Sequence, residues 1–222
     1  MDNTSNTNRG DRSPILEMVR SLPAWNSAVA KLSTRVSSPE IKGKVVAIQN
    51  VYKGARGPMV VDVVASRRRR YETHVAGRII PVYKEKAQDF SLRTLAEHGP
   101  VGVTLWSGEA RTIVQLAEFL LDFAEDKDDE RTVASFASQS FDPEVRARAI
   151  EIRGIGPVLY EYLRLLSGVD TLKSDSRVRE ALGSLGIPEE NFSDEGILNI
   201  CKALAADCEC NLVGLDQALW NR

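Results

Sequence analysis

Lys173 and Asp175 stand two residues apart in the run Lys173-Ser174-Asp175-Ser176-Arg177-Val178-Arg179. A carboxylate so placed can supply a fixed negative charge to a cation that develops as a bond breaks, and it can orient a water. An amine beside it can attack a carbonyl, contact a phosphate, or serve as the charge partner that keeps the carboxylate ionised. A simpler alternative is that Asp175 only caps the helix that follows, with Ser174 as a competitor for the same task.

The preceding stretch must position this pair. Asp142 suits an N-cap, with Pro143 at the first helical position and Glu144 in the first turn, and Val145, Ala149 and Ile152 form the apolar face of that helix. Gly154 and Gly156 bracket Ile155, which permits a sharp reversal, and Pro157 opens a second helix over 157–167 with Leu159, Tyr162, Leu163 and Leu166 on one face. Such a corner can present several backbone N–H groups to an anion, or it can be no more than a tight turn between helices. Past Asp175, a helix over 178–185 stops at Gly186.

Arg153-Gly154-Ile155-Gly156-Pro157, with Asp175 about 20 residues on, resembles the helix-hairpin-helix motif of the base-excision DNA glycosylase superfamily. That superfamily includes endonuclease III, MutY-like and alkylbase glycosylases. Its hairpin, of the form hydrophobic-x-Gly-hydrophobic-Gly, opens a helix, and its catalytic Asp stands at the mouth of the lesion pocket. Asp175 sits where that Asp is expected, and Ser176, Arg177 and Val178 continue the pattern. The likeness extends loosely over about residues 91–220 and is sharpest over 150–180.

The resemblance implies an all-α glycosylase-like fold of two helical lobes with a cleft between them, the helix-hairpin-helix lying at about 143–167. It implies hydrolysis of the N-glycosidic bond of a damaged or modified base in double-stranded DNA, with Asp175 as the catalytic anion. Lys173 is the second catalytic candidate, a surface or phosphate role being favoured over imine chemistry. Arg153, Gly154, Ile155, Gly156, Arg177 and Arg179 would grip the DNA backbone. Trp106, Tyr160 and Tyr162 are candidates for the base pocket, although aromatic residues at helical spacing usually pack into a core. A monovalent cation held by the hairpin is the one cofactor implied.

Two departures narrow the expectation. Bifunctional members carry a Lys just after the hairpin glycines, where this chain has Pro157, Val158 and Leu159, so a monofunctional enzyme is expected. The iron–sulfur members carry four spaced cysteines, whereas Cys201, Cys208 and Cys210 are the only three here, so no cluster is expected.

Composition fits a soluble globular protein: 222 residues, 43% hydrophobic and 27% charged, enough to bury a core in one domain of two joined lobes. A net charge of −2 argues mildly against bulk attraction to nucleic acid but leaves room for a local basic face. Arg67, Arg68, Arg69 and Arg70 are the strongest candidate for one, and at least one of them is expected to pack inward or pair with an acid. Three clustered cysteines suggest a reducing compartment rather than a disulfide scaffold, and no metal site is expected. No apolar run reaches membrane-spanning length and no signal peptide is evident, so a cytoplasmic, monomeric protein is expected, nucleoid-associated if bacterial.

Residues 1–13 are polar and expected to be a disordered tail, ahead of a helical domain over 14–222. Ser37-Ser38-Pro39 reads as a linker, Lys53–Pro58 as a loop, and Met59–Val75 as one long helix despite β-branched residues that would suit a strand. Ile79–Tyr83 reads as a short apolar link, Ala110–Leu121 as a long helix face, and Glu125–Glu130 as a solvated loop turned away from DNA. Two non-enzymatic readings stay open: a helix-hairpin-helix DNA-binding module, and a structural or protein-interaction protein on a relic fold.

Overall fold

Proline and short polar side chains punctuate this chain into helices. Pro23, Pro39, Pro143 and Pro157 sit in the first helical turns, where the missing N–H leaves no bond unmade. Ser38, Ser91, Asp128, Asp142, Asp175, Ser193 and Asn211 each accept hydrogen bonds from the first-turn amides of the helix they precede. The computed structural model describes residues 14–124, 128–190 and 192–221, and the expected tail over 1–13 lies outside the described residues.

Among the described residues the fold is all-α. Its helices are α1 (Pro14–Arg20), α2 (Pro23–Val36), α3 (Pro39–Asn50), α4 (Arg56–Ala65), a π-helical segment (Tyr71–Ile79), α5 (Ile80–Lys86) and α6 (Leu92–His98). They continue as α7 (Glu109–Leu121), α8 (Asp129–Gln139), α9 (Pro143–Glu151), α10 (Pro157–Leu166), α11 (Ser176–Ser184), α12 (Asp194–Asp207) and α13 (Leu212–Trp220).

Their buried apolar side chains fall into two clusters. One is built by the middle of the chain, with Met59, Val63, Leu116, Phe136, Leu163 and Leu166 among its members. The other joins α1 and α2 to α11, α12 and α13 through Leu32, Leu172, Leu182, Ile200 and Leu215. α13 serves both, since Val213 belongs to the first cluster and Leu212, Leu215 and Leu219 to the second. Cys201 is a small residue of the second core, as expected.

Several boundaries differ from the sequence reading. Met59–Val75 is two elements, because the chain turns after Ala65, reaches a left-handed φ of 57° at Arg68, and restarts as the π segment at Tyr71. Ser37–Pro39 is a capped corner between α2 and α3 rather than a linker. Arg56–Pro58 is already the first turn of α4, where Gly57 N–H bonds Phe90 O at 2.6 Å. Ile79–Tyr83 is helical, the seam between the π segment and α5. Of the acidic run, Asp128 caps α8, and Glu130 holds Arg56 through bonds of 2.6 and 2.8 Å. Residues 125–127 lie outside the described residues.

Candidate functional site

The α9–α10 corner is fixed by close packing. Gly154 adopts φ 101°, and a Cβ there would meet Arg67 Nη1 at 3.0 Å and Thr112 Oγ1 at 3.2 Å. Thr112 Oγ1 donates to Arg153 O at 2.7 Å, and Ile155 is buried in the first cluster. Gly156 is the N-cap of α10 and offers no capping side chain. The Arg153 side chain is exposed.

From α10 the chain reaches Asp175 through a pinned link. Gly168 turns at φ 93°, Asp170 Oδ1 accepts from Val213 N–H at 3.1 Å, and Thr171 Oγ1 donates to Glu161 at 2.6 Å. Leu172 is buried in the second cluster, and Lys173 N–H donates to Asp216 Oδ1 at 3.3 Å. Each residue ahead of the site therefore has its own anchor. This link, more than the helices themselves, sets where Lys173 and Asp175 stand.

Lys173 and Asp175 line one cleft of about 730 Å³. The turn Ser66–Tyr71 with its four arginines lines the same cleft, as do Leu159, Arg177, Arg179 and Trp220. Lys173 Nζ lies 3.1 Å from Ser66 Oγ, 3.7 Å from Asp175 Oδ2 and 4.2 Å from the Tyr162 ring centre, with only 7% of the residue exposed. Burial holds its ammonium below the usual lysine range, and the negative charges of Asp175, Asp62 and Asp216 pull it back up. Asp175 divides its carboxylate. Oδ1 accepts from the N–H groups of Arg177 and Val178 at 3.0 and 3.3 Å, while Oδ2 faces Lys173.

Beneath the cleft is a polar cluster that the sequence reading missed. Asp62 is fully buried and accepts from the phenols of Tyr52, Tyr71 (2.9 Å) and Tyr162 (3.2 Å). Burial raises the Asp62 carboxyl above its ordinary range, against which the phenol hydrogen bonds and Lys173 act. Asp216 is also buried, accepts from Lys173 N–H and Gln217 Nε2, and is pushed up to about 7 by desolvation. A recess of about 120 Å³ opens beside Lys173, walled by Tyr71, Tyr162, Leu165, Asp216 and Trp220. The signal for both acids was in the sequence: Asp62 interrupts M-V-V-D-V-V-A and Asp216 interrupts L-V-G-L-D-Q-A-L-W, and a lone carboxylate in an apolar run must find buried partners.

The other candidates separate. Tyr160 is a fully buried core residue: its hydroxyl donates to Ser140 O at 2.7 Å and its ring meets Phe136 edge to face. Tyr162 is buried under Lys173 and bonded to Asp62; it is absent from the wall of the larger cleft but forms part of the wall of the recess beside Lys173. Trp106 lies outside the cleft, stacked 4.0 Å from Arg69, because Glu109 draws that arginine inward through two bonds of 2.7 and 2.8 Å. Of the four arginines, Arg69 is thus the inward one, whereas Arg67, Arg68 and Arg70 form no salt bridge among the described residues. Arg177 is held by Glu72 at 2.6 and 2.9 Å and stacks 4.2 Å from Trp220. Arg179 clamps the start of α12 through Asp194 (2.7 Å) and the carbonyls of Glu189 and Phe192.

Arg67 also borders a second groove of about 500 Å³ on the other side of the corner, with Arg111, Thr112, Gln115, Arg153 and Gly154. The α9–α10 corner and the cleft are therefore linked by one basic side chain. No helix among the described residues is long and apolar enough to cross a membrane. Compared with known proteins, the chain matches no family model, and no curated protein or solved structure is significantly similar to it.

Proposed function

We propose that the protein is a DNA glycosylase-like hydrolase that removes a damaged or modified base, with the two apolar clusters acting as lobes on either side of its cleft. The observation that carries this reading is the half-committed Asp175 carboxylate: one oxygen is spent on the helix cap, and the other faces Lys173 in a cleft edged by arginines. Cleaving a glycosidic bond needs an extruded base, a polarised leaving group and an anion near the developing oxocarbenium. Asp175 Oδ2 supplies that anion and is already positioned, so little reorganisation accompanies the reaction.

Arg67, Arg68, Arg70 and Arg153 would take the phosphates, and Arg67 would carry the strand from the corner to the cleft. Arg177 and Arg179 shape the wall, since both are engaged within the protein. The recess between Tyr71 and Trp220 offers aromatic surface to the extruded base. Lys173 serves as the charge partner of Asp175. Ile152 O and Arg153 O already accept bonds from Ile155 N–H and Thr112, so a monovalent cation at the corner rests on the resemblance alone and enters no step.

The test is single-turnover base release from duplexes bearing oxidised, alkylated, deaminated or mismatched bases, with wild type beside Asp175→Asn and Lys173→Gln. Release by wild type and a loss of about 100-fold or more in Asp175→Asn supports the reading. Strand scission without alkali, lost in Lys173→Gln, would turn Lys173 from charge partner to nucleophile. DNA binding that survives with no base release from any duplex would favour a binding module, for which Asp175 is only a cap.

A further inference from the structure

A second recess shares Arg69 with the cleft but contains neither Lys173 nor Asp175. It encloses about 280 Å³ between the π-helical segment and the loop before α7, and its principal lining is His74, Arg78, Ile79, Val82, Val103 and Trp106. Trp106 is 47% exposed, so part of its indole is open to the recess. The ring is also rigidly mounted. Arg69 lies 4.0 Å from its centre and is locked by Glu109 and Ala65 O, and the backbone N–H of Trp106 donates to the same Glu109 at 2.9 Å.

The π segment supplies the basic side chains. His74 and Arg78 lie four residues apart in a helix bonded i to i+5, which brings them to one side of the turn. The wide turn is kept by Gly77, where a Cβ would fall 2.6 Å from Glu72 O. His74 Nδ1 is engaged by Thr73 Oγ1 at 2.8 Å, leaving its other ring nitrogen for a ligand. Arg78 forms no salt bridge among the described residues, and no carboxylate is among the residues that line the recess. An aromatic face, an apolar floor and two basic groups without a carboxylate complement a flat ring bearing a negative charge.

We propose that this recess binds a nucleotide, its base stacked on Trp106 and its phosphate held by Arg78 and His74. The choice of a nucleotide over another flat anion rests on the reading of the neighbouring cleft, with which the recess shares Arg69. The ligand is then either a free nucleoside monophosphate or one nucleotide of a strand that also enters the cleft. Stacking on an aromatic side chain is tolerant of base identity, so no sequence preference is expected from this recess.

The experiment is calorimetric titration of the full chain with deoxyadenosine monophosphate, deoxyadenosine, inorganic phosphate and a short single-stranded deoxyadenosine oligomer, followed in parallel by tryptophan fluorescence. Saturable binding of the monophosphate, weakened about 10-fold in Trp106→Leu and in Arg78→Gln and largely restored in Trp106→Phe, supports the proposal. Competition by the oligomer assigns the recess to a strand, and failure to compete assigns it to the free nucleotide. The proposal falls if neither the monophosphate nor the oligomer binds at millimolar concentration. It also falls if deoxyadenosine or phosphate alone binds as well as the monophosphate, or if correctly folded variants bind like wild type. Asp175→Asn, which abolishes base release in the reading above, should leave this binding intact, so the two readings fail separately.

Discussion

Arg69 and Glu109 form a two-bond ion pair of 2.7 and 2.8 Å with both side chains almost wholly withdrawn from solvent. One partner comes from the turn after α4 and the other opens α7, so the pair fastens the basic turn to the middle helices. Removing one member strands the other charge without water. Glu109→Gln should therefore destabilise the protein by about 3–5 kcal/mol in urea unfolding. Replacing both residues together by apolar ones should recover most of that loss, because the desolvation penalty disappears with the charges.

Asp175 should separate stability from activity. Asparagine is as good an N-cap as aspartate, so Asp175→Asn should lose only what its charge contributes beside the buried Lys173, whereas Asp175→Ala should lose about 1 kcal/mol more. Both should lose base release alike. A rate that tracks the cap, falling only in the alanine variant, would make the carboxylate structural.

Much of the architecture was legible in the sequence because caps and glycines act locally. Asp142-Pro143, Gly154, Pro157 and Gly186 were read at or near their observed positions for that reason. The basic turn was not legible: the helical periodicity of Val60, Val64, Tyr71 and Val75 runs across a break that only the tertiary pairing of Arg69 explains. Asp175 and Lys173 could be singled out by type and spacing, but their supports could not. Ser66, Asp62 and Asp216 lie 107, 111 and 43 residues from Lys173 along the chain, beyond any local pattern. Aromatic residues misled for a related reason, since spacing alone cannot tell the core ring of Tyr160 from the exposed ring of Trp106.

Asp216 predicts a pH dependence of definite sign. Burial lifts its carboxyl from the ordinary range to about 7, so between about pH 4 and 7 the folded state binds a proton that the unfolded state has released. The stability this group contributes is full below that window and is lost as pH rises through it. Asp216→Asn removes the dependence. Unfolding free energies at pH 5 and pH 8 should show the variant gaining on wild type by roughly 2–3 kcal/mol across the interval. A constant difference would mean that Asp216 stays ionised beside Lys173 throughout.

Tyr160→Phe tests the reassignment of that ring to the core. Loss of its bond to Ser140 O leaves a buried carbonyl without that donor and should cost about 1–2 kcal/mol in thermal or urea unfolding. Base release per folded molecule should not change. A lowered rate at unchanged stability would return Tyr160 to the pocket.

The π-helical segment carries a consequence for how the chain can change in length. A turn bonded i to i+5 holds one residue more in each ring than an α-helical turn. Deleting Gly77 would allow the segment to close as an ordinary helix. Its two ends cannot follow, since Tyr71 is tied to Asp62 at the start, and Ile79 and Ile80 are buried at the finish. Losing one residue must therefore swing His74 and Arg78 away from Trp106 or pull Tyr71 from its acid. Exposed positions of the segment can accept many side chains, yet its residue count is fixed, so here the chain should tolerate substitution far better than deletion.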